Sequence, residues 1–209
     1  MADPTAFGVF GLAIVTFVAS SQKMGWTTGV EFAIPWAIFL GAIAQLWASL
    51  IDFRNNNTFG AMALGVYGLF WMGVATHWAI SLGWFGELTV NADPRQLGFA
   101  FFGYFFISLF IMVAAFEVHL IMTILLVLIN VLFLSLGFSA LGINHDLFAT
   151  IAAYAEFAIS LFGFYLAGAT FLNNFFGRTV LSVGKPLGLI AKGPIEVNSK
   201  KVIKTAENM

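Results

Sequence analysis

The sequence predicts an all-α membrane protein with six transmembrane helices per protomer, and three observations carry that expectation. Of 209 residues, 60% are hydrophobic and 9% charged, with a mean hydropathy of +0.94, a balance that leaves too little polar surface for a water-soluble domain. The charge is also segregated: 8 of the 19 charged residues lie from Arg178 onward, leaving 11 for the first 177 residues. Finally, six apolar runs of about twenty residues, the length that crosses a bilayer core of about 30 Å, alternate with short clusters of Gly, Asn, Asp and charge.

The first run is expected over about 4–21, where Asp3 and Pro4 read as a capping carboxylate followed by a first-turn proline. The second opens at Pro35 by the same logic and covers about 35–53. Arg54, Asn55, Asn56 and Asn57 form a tight polar connection, after which Thr58 is expected to cap a third helix over about 58–84. Between Phe99 and Gly137 no proline occurs, and one helix of that length would measure roughly 58 Å, nearly twice the bilayer core. Glu117 and His119 are the only charged residues inside it, so the turn belongs there. This gives helices at about 96–116 and 119–137. The sixth follows a cap at Asp146 and covers about 147–172, and 177–209 is a basic tail.

Basic residues set the orientation. If both termini share one side, that side holds seven Lys and Arg and the other holds Lys23 and Arg95 alone; both termini are therefore expected in the cytoplasm. The opening residues lack the basic leader of a signal peptide, so the first run is expected to remain as a span. The composition excludes a nucleic-acid binder, which needs a basic surface. With no Cys, thiolate catalysis and Cys-ligated metals are excluded as well.

Polar groups inside a bilayer are the informative ones, because each is costly unless paired or hydrated. Gln45, Tyr67, Asn130 and Glu156 all fall nine to eleven residues past their expected helix starts, about 14–16 Å deep, which predicts a shared polar crossing point. Glu156 is the candidate for proton coupling, since a buried carboxyl resists ionisation. Asn57 and Thr58, at the start of the third helix, offer backbone N–H groups and a positive dipole end to an anion. Small residues at helical spacing (Gly8 and Gly11; Gly41, Ala44 and Ala48; Ala61, Gly65 and Gly68) suit close helix packing. A haem subunit would need two histidines facing each other at matched depth. His77 lies within a helix while His119 and His145 lie at helix ends on opposite sides, so no cofactor and no metal are expected.

The stretch Gly41-Ala42-Ile43-Ala44-Gln45, then Asn57-Thr58-Phe59-Gly60 and Tyr67-Gly68-Leu69-Phe70-Trp71, with Phe176-Gly177-Arg178-Thr179-Val180-Leu181 after the last helix, resembles the acetate uptake transporter family, the succinate-acetate/proton symporters. The likeness runs from Asp3 to about Leu181. Where that family's N-terminal signature reads Asn-Pro-Ala-Pro-Leu-Gly-Leu, this chain has Asp3-Pro4-Thr5-Ala6-Phe7-Gly8-Val9, keeping the proline and the second-last glycine and adding a negative charge. The resemblance implies a hexamer of six-helix protomers shaped like the urea and amide channels, embedded in the cell membrane. It also implies an apolar constriction at Leu12, Tyr67 and Val127. Gln45 and Asn130, as amide donors, and Asn57 and Thr58, at a helix start, are expected along the substrate path because they can receive a small carboxylate. The expected activity is transport of acetate and similar short carboxylates, succinate among them, together with protons, and not an enzymatic reaction. The alternative is a channel for a neutral polar solute such as urea or a short amide.

Overall fold

The computed structural model describes residues 2–86, 92–190 and 193. Six helices are long and apolar enough to cross a membrane: α1 (Thr5–Lys23), α2 (Ala33–Arg54), α3 (Thr58–Ser81), α4 (Arg95–Ala115), α5 (Leu120–Ala140) and α6 (His145–Phe176). They form a closed ring in chain order, each packed on its neighbours, with α1 returning to lie along α6. The chain is a multi-pass membrane protein.

Backbone donors at the helix starts explain the boundaries. Thr5 N–H donates to Asp3 Oδ1 (2.9 Å), so the aspartate holds the first turn of α1 from outside it. At α3 the cap is Asn57, whose side chain accepts from Gly60 N–H (3.2 Å); Thr58, expected in that role, is the first helical residue. His119 caps α5, its Nδ1 accepting from Met122 N–H (3.1 Å), and the turn between α4 and α5 falls between Ala115 and Leu120. Helix α6 starts two residues before the expected position, after Asn144 in left-handed conformation, with Asp146 inside the first turn and making no side-chain cap. It also runs on to Phe176, because nothing in Thr170–Phe176 interrupts a helix until Gly177 adopts φ 61°, a conformation free of Cβ strain for glycine.

Within α2, Ala37–Ala44 winds as π-helix. Pro35 sits in the first turn of this helix, where its missing N–H costs no bond. Close packing explains several small residues. A Cβ on Gly11 would collide with the Leu40 carbonyl oxygen of the π segment, and one on Gly41 would lie 2.8 Å from the Trp71 ring. Gly163 likewise meets Ala13 at the α1–α6 seam, at 3.0 Å. Membrane helices associate through such close approach, since lipid tails offer no hydrophobic drive for helix pairing.

Beyond α6, residues 178–190 run without regular structure back across one end of the ring. Asn173 Oδ1 accepts from Val180 and Leu181 N–H (2.6 and 3.0 Å), and Ile121 N–H donates to the Val183 carbonyl (3.1 Å). Leu187 N–H donates to the Phe116 carbonyl (2.7 Å) and Ile190 N–H to Glu117 Oε1 (2.8 Å). The start of the expected tail is thus a strap tied to α6 and to the α4–α5 turn. Its basic run from Lys192 lies outside the described residues.

Candidate functional site: two cavities joined by a neck

The ring of helices encloses two cavities in series. The one at the strapped end has a volume of about 530 Å³ and is lined by residues including Asp3, Leu12, Gln45, Asn57, Tyr67, Glu117, His119, Leu126, Ile129 and Val183. The one at the opposite end measures about 310 Å³ and is lined by Lys23, Trp71, His77, Trp78, Tyr104 and Glu156 among others. Between them lies a void of about 10 Å³ walled by Leu12, Thr16, Tyr67, Phe70, Trp71, Ile129, Leu132, Phe133 and Ile159. Leu12, Tyr67 and Ile129 also wall the first cavity, and Phe70 and Trp71 also wall the second. A space that size lies at the limit for a single water and is almost wholly apolar, so it is dry.

Leu12 and Tyr67 both wall this narrow void. Val127 does not: it is 43% exposed and faces away from the path. One residue along a helix turns a side chain by about 100°, so a one-residue error in phase moves it from lumen to outer face. On α5 the first cavity is lined by Met122, Leu125, Leu126 and Ile129 and the neck by Ile129, Leu132 and Phe133, all buried. The polar groups among the residues walling the neck belong to Tyr67, Thr16 and the Trp71 indole. The Tyr67 hydroxyl bonds Ser108 Oγ (2.8 Å), while Thr16 Oγ1 donates to the Leu12 carbonyl (2.8 Å), so neither disturbs its dryness.

Of the four polar residues expected at one crossing point, Gln45 and Tyr67 share the first cavity and the other two do not join them. Gln45 lines the first cavity, its Nε2 donating to the Gly41 carbonyl (2.8 Å) and its buried Oε1 without a protein partner. Asn130 lines neither cavity. Its Nδ2 donates to the Leu126 carbonyl (2.7 Å) and, more weakly, toward the Ser108 carbonyl (3.4 Å), which ties α5 to α4 behind Tyr67. Glu156 lines the opposite cavity. Along α6, whose 32 residues span roughly 48 Å, Glu156 stands level with Lys23, the last residue of α1.

Asn57 lines the first cavity, but Thr58 lines an outer crevice beside Phe110. The start of α3 is also already occupied. Asn57 Nδ2 donates to Asp52 Oδ1 (3.1 Å), and Asp52, itself buried, sets its carboxylate beside Gly60. The dipole end of the helix faces a resident anion rather than open space.

Charges outside the spans follow from these contacts. Burial alone would raise the Asp3 carboxyl, but bonds from Thr5 and from Asn174 Nδ2 (2.9 Å) outweigh it and hold the group below the usual aspartate range. Burial lowers His119, in keeping with a neutral ring accepting at Nδ1. Glu156 is not isolated: Lys23 Nζ lies 2.6 Å from its Oε2. Sequence reading counted Lys23 only as a connecting-loop base. The available signal was elimination, since a carboxylate in the middle of an apolar helix needs a cation and the body of the chain offers only Lys23, Arg54 and Arg95.

Comparison with known proteins agrees with this architecture. The family model described as the GPR1/FUN34/yaaH family matches residues 1–183. The succinate-acetate/proton symporter SatP of Escherichia coli K12 is 29% identical over 191 residues, covering 88% of this chain and 96% of SatP. An uncharacterized protein of Methanothermobacter thermautotrophicus is 26% identical over 184 residues, covering 86% and 90%. A solved structure of the bacterial acetate channel SatP superposes with a TM-score of 0.81 at 26% identity, covering 88% of this chain and 99% of that one. With the family model spanning all six helices and the same fold in a solved relative, the chain belongs to the GPR1/FUN34/yaaH family.

Proposed function

We propose that this protein carries acetate and related short monocarboxylates across the cell membrane as the neutral acid or with an accompanying proton, and catalyses no reaction. The observation that carries this reading is the dry, almost closed neck between the two cavities. Taking a bare carboxylate through it costs several kcal/mol in desolvation. Protonating a carboxylic acid of pKa near 4.3 at pH 7 costs only about 4 kcal/mol, so the neutral form is the cheaper passenger once the desolvation cost exceeds that figure. Gln45, with an unsatisfied buried oxygen, accepts a bond from an acid proton or a water at the entrance to the neck. Glu156 is the protonatable group in the opposite cavity. Succinate, with two carboxyls, meets the same neck with a larger cost. SatP, described as a succinate-acetate/proton symporter and as an acetate channel, supports the substrate class.

The strapped end faces the cytoplasm by the distribution of basic residues, and the protomers assemble as a hexamer, as the family resemblance implies. The test is uptake of labelled acetate by proteoliposomes with and without an inward proton gradient. Acceleration by the gradient supports the proposal; uptake indifferent to pH and competed by urea defeats it in favour of a channel for neutral solutes.

A further inference from the structure

We propose that Lys23 is the carboxylate-docking group of the cavity opposite the strap, and that Glu156 occupies it as a tethered stand-in for the substrate until an incoming carboxylate arrives with a proton. This inference deepens the transport reading and rests on it.

Among the described residues, Lys23 is the sole Lys or Arg lining either cavity or the neck. The strapped cavity is lined instead by the carboxylates Asp3 and Glu117, each already hydrogen-bonded. A small anion is therefore attracted at one end only. Both residues line the cavity, but the Lys23 side chain remains 24% exposed while that of Glu156 is 2% exposed, so Lys23 is the more accessible member of the pair. The groups that face Glu156 across the cavity are Lys23 from α1, His77 from α3, Tyr104 from α4 and Ser139 from α5. None of these but Lys23 supplies a permanent charge, and Glu156 is the only acid among them.

The chemistry of exchange follows. The end of a glutamate side chain is a CH₂–COO⁻ group, close in size and charge to acetate. An ammonium has three donors and no acceptor, so it bonds a second carboxylate without first releasing Glu156. Two carboxylates on one ammonium leave a net negative charge in a poorly hydrated site, which is unfavourable. One proton taken from water by Glu156 restores neutrality: the cavity gains one anion and one proton, and the ammonium passes from resident to incoming carboxylate. Phe70, Trp71, Trp78 and Phe101 wall the pair with apolar surface, which offers nothing to offset a second bare carboxylate and so disfavours exchange with the anion alone.

The test is the half-saturation concentration for labelled acetate entering proteoliposomes from the Lys23 side, at pH 6 and pH 7.5. Lys23→Gln should raise it at least tenfold, Lys23→Arg should stay within threefold of the parent, and Glu156→Gln should lower it at least tenfold at pH 7.5 and abolish its pH dependence. Because Lys23→Gln leaves Glu156 without its cation, the neutral double variant Lys23→Gln/Glu156→Gln keeps the shape of the pair and should also show the tenfold rise. A parent that takes up no acetate overturns the transport reading and this site with it. A parent that transports, with parental half-saturation in the double variant or in Glu156→Gln, overturns the docking site alone.

Discussion

Truncating Tyr67 is the sharpest probe of the dry neck. Tyr67 walls both the 530 Å³ cavity and the 10 Å³ void, and its ring packs 6.1 Å from that of Phe133. Tyr67→Ala removes the whole ring, and the space it leaves joins a void already at the threshold for one water, so the neck becomes large enough to hydrate. Carrying only the neutral acid, the parent should lose about tenfold in acetate uptake per unit rise of pH above the acid's pKa, or about 30-fold between pH 6 and 7.5. In Tyr67→Ala the hydrated anion crosses as well. Flux at pH 7.5 should then rise at least tenfold, equivalent to about 1.4 kcal/mol off the barrier, and the pH ratio should fall below about fivefold. Tyr67→Phe keeps the ring and loses only the bond to Ser108, worth about 1 kcal/mol of stability, so its pH ratio should match the parent. The assay is initial uptake of labelled acetate into proteoliposomes with matched protein content. Equal rates and equal pH ratios for Tyr67→Ala and the parent would refute the argument that this ring keeps the neck dry.

On α5, Ile129→Ala should increase flux whereas Val127→Ala, on the outer face, should leave it unchanged; the reverse pattern would restore the sequence-based assignment. Gly11→Ala pushes a methyl into the Leu40 carbonyl and should lower stability by about 1–3 kcal/mol, read as a lower melting temperature of the detergent-solubilised protein, and a parental melt would mean that α1 shifts freely against the π segment. The Asp3 carboxyl is held below its usual range, so its clamp between α1 and α6 is present above the unfolded value near 3.9 and is lost as pH falls through the lower folded value. Asp3→Ala should accordingly melt below the parent at pH 7, and the gap should narrow as pH falls below the unfolded value and through the lowered folded one; a gap that stays constant through that fall would assign the effect to packing instead.

How the sequence encodes this molecule differs by level. The number of spans and the turn at Glu117–His119 were legible because length and hydropathy act locally and a bilayer imposes one scale on both. Leu12 and Tyr67 were legible through shared motifs. Val127 was not placed correctly because α5 is so uniformly apolar, with Leu, Ile and Val on every face, that nothing in its pattern marks the lumen. The π segment of α2 was invisible for a related reason: Ala37–Ala44 carries no residue whose chemistry demands a wider turn. Thr58 and Asp146 missed their expected capping roles by one or two positions, within the ordinary uncertainty of helix ends. The pairing of Glu156 with Lys23 spans 133 positions, a separation at which only charge balance, not periodicity, carries information.

The seam between α1 and α6 bears on how the protein is made. Lys23 meets Glu156, and Asp3 meets Asn174 171 positions later, so the first helix to leave the ribosome finds its main partner in the last. Until then α1 waits in the bilayer with an ammonium near its end, a position that a long side chain tolerates by reaching to the interface. Contacts of such sequence separation form late and slowly. The two cavities and the neck between them are therefore complete only once α6 has docked on α1, since Glu156 and Ile159 of α6 are part of their walls.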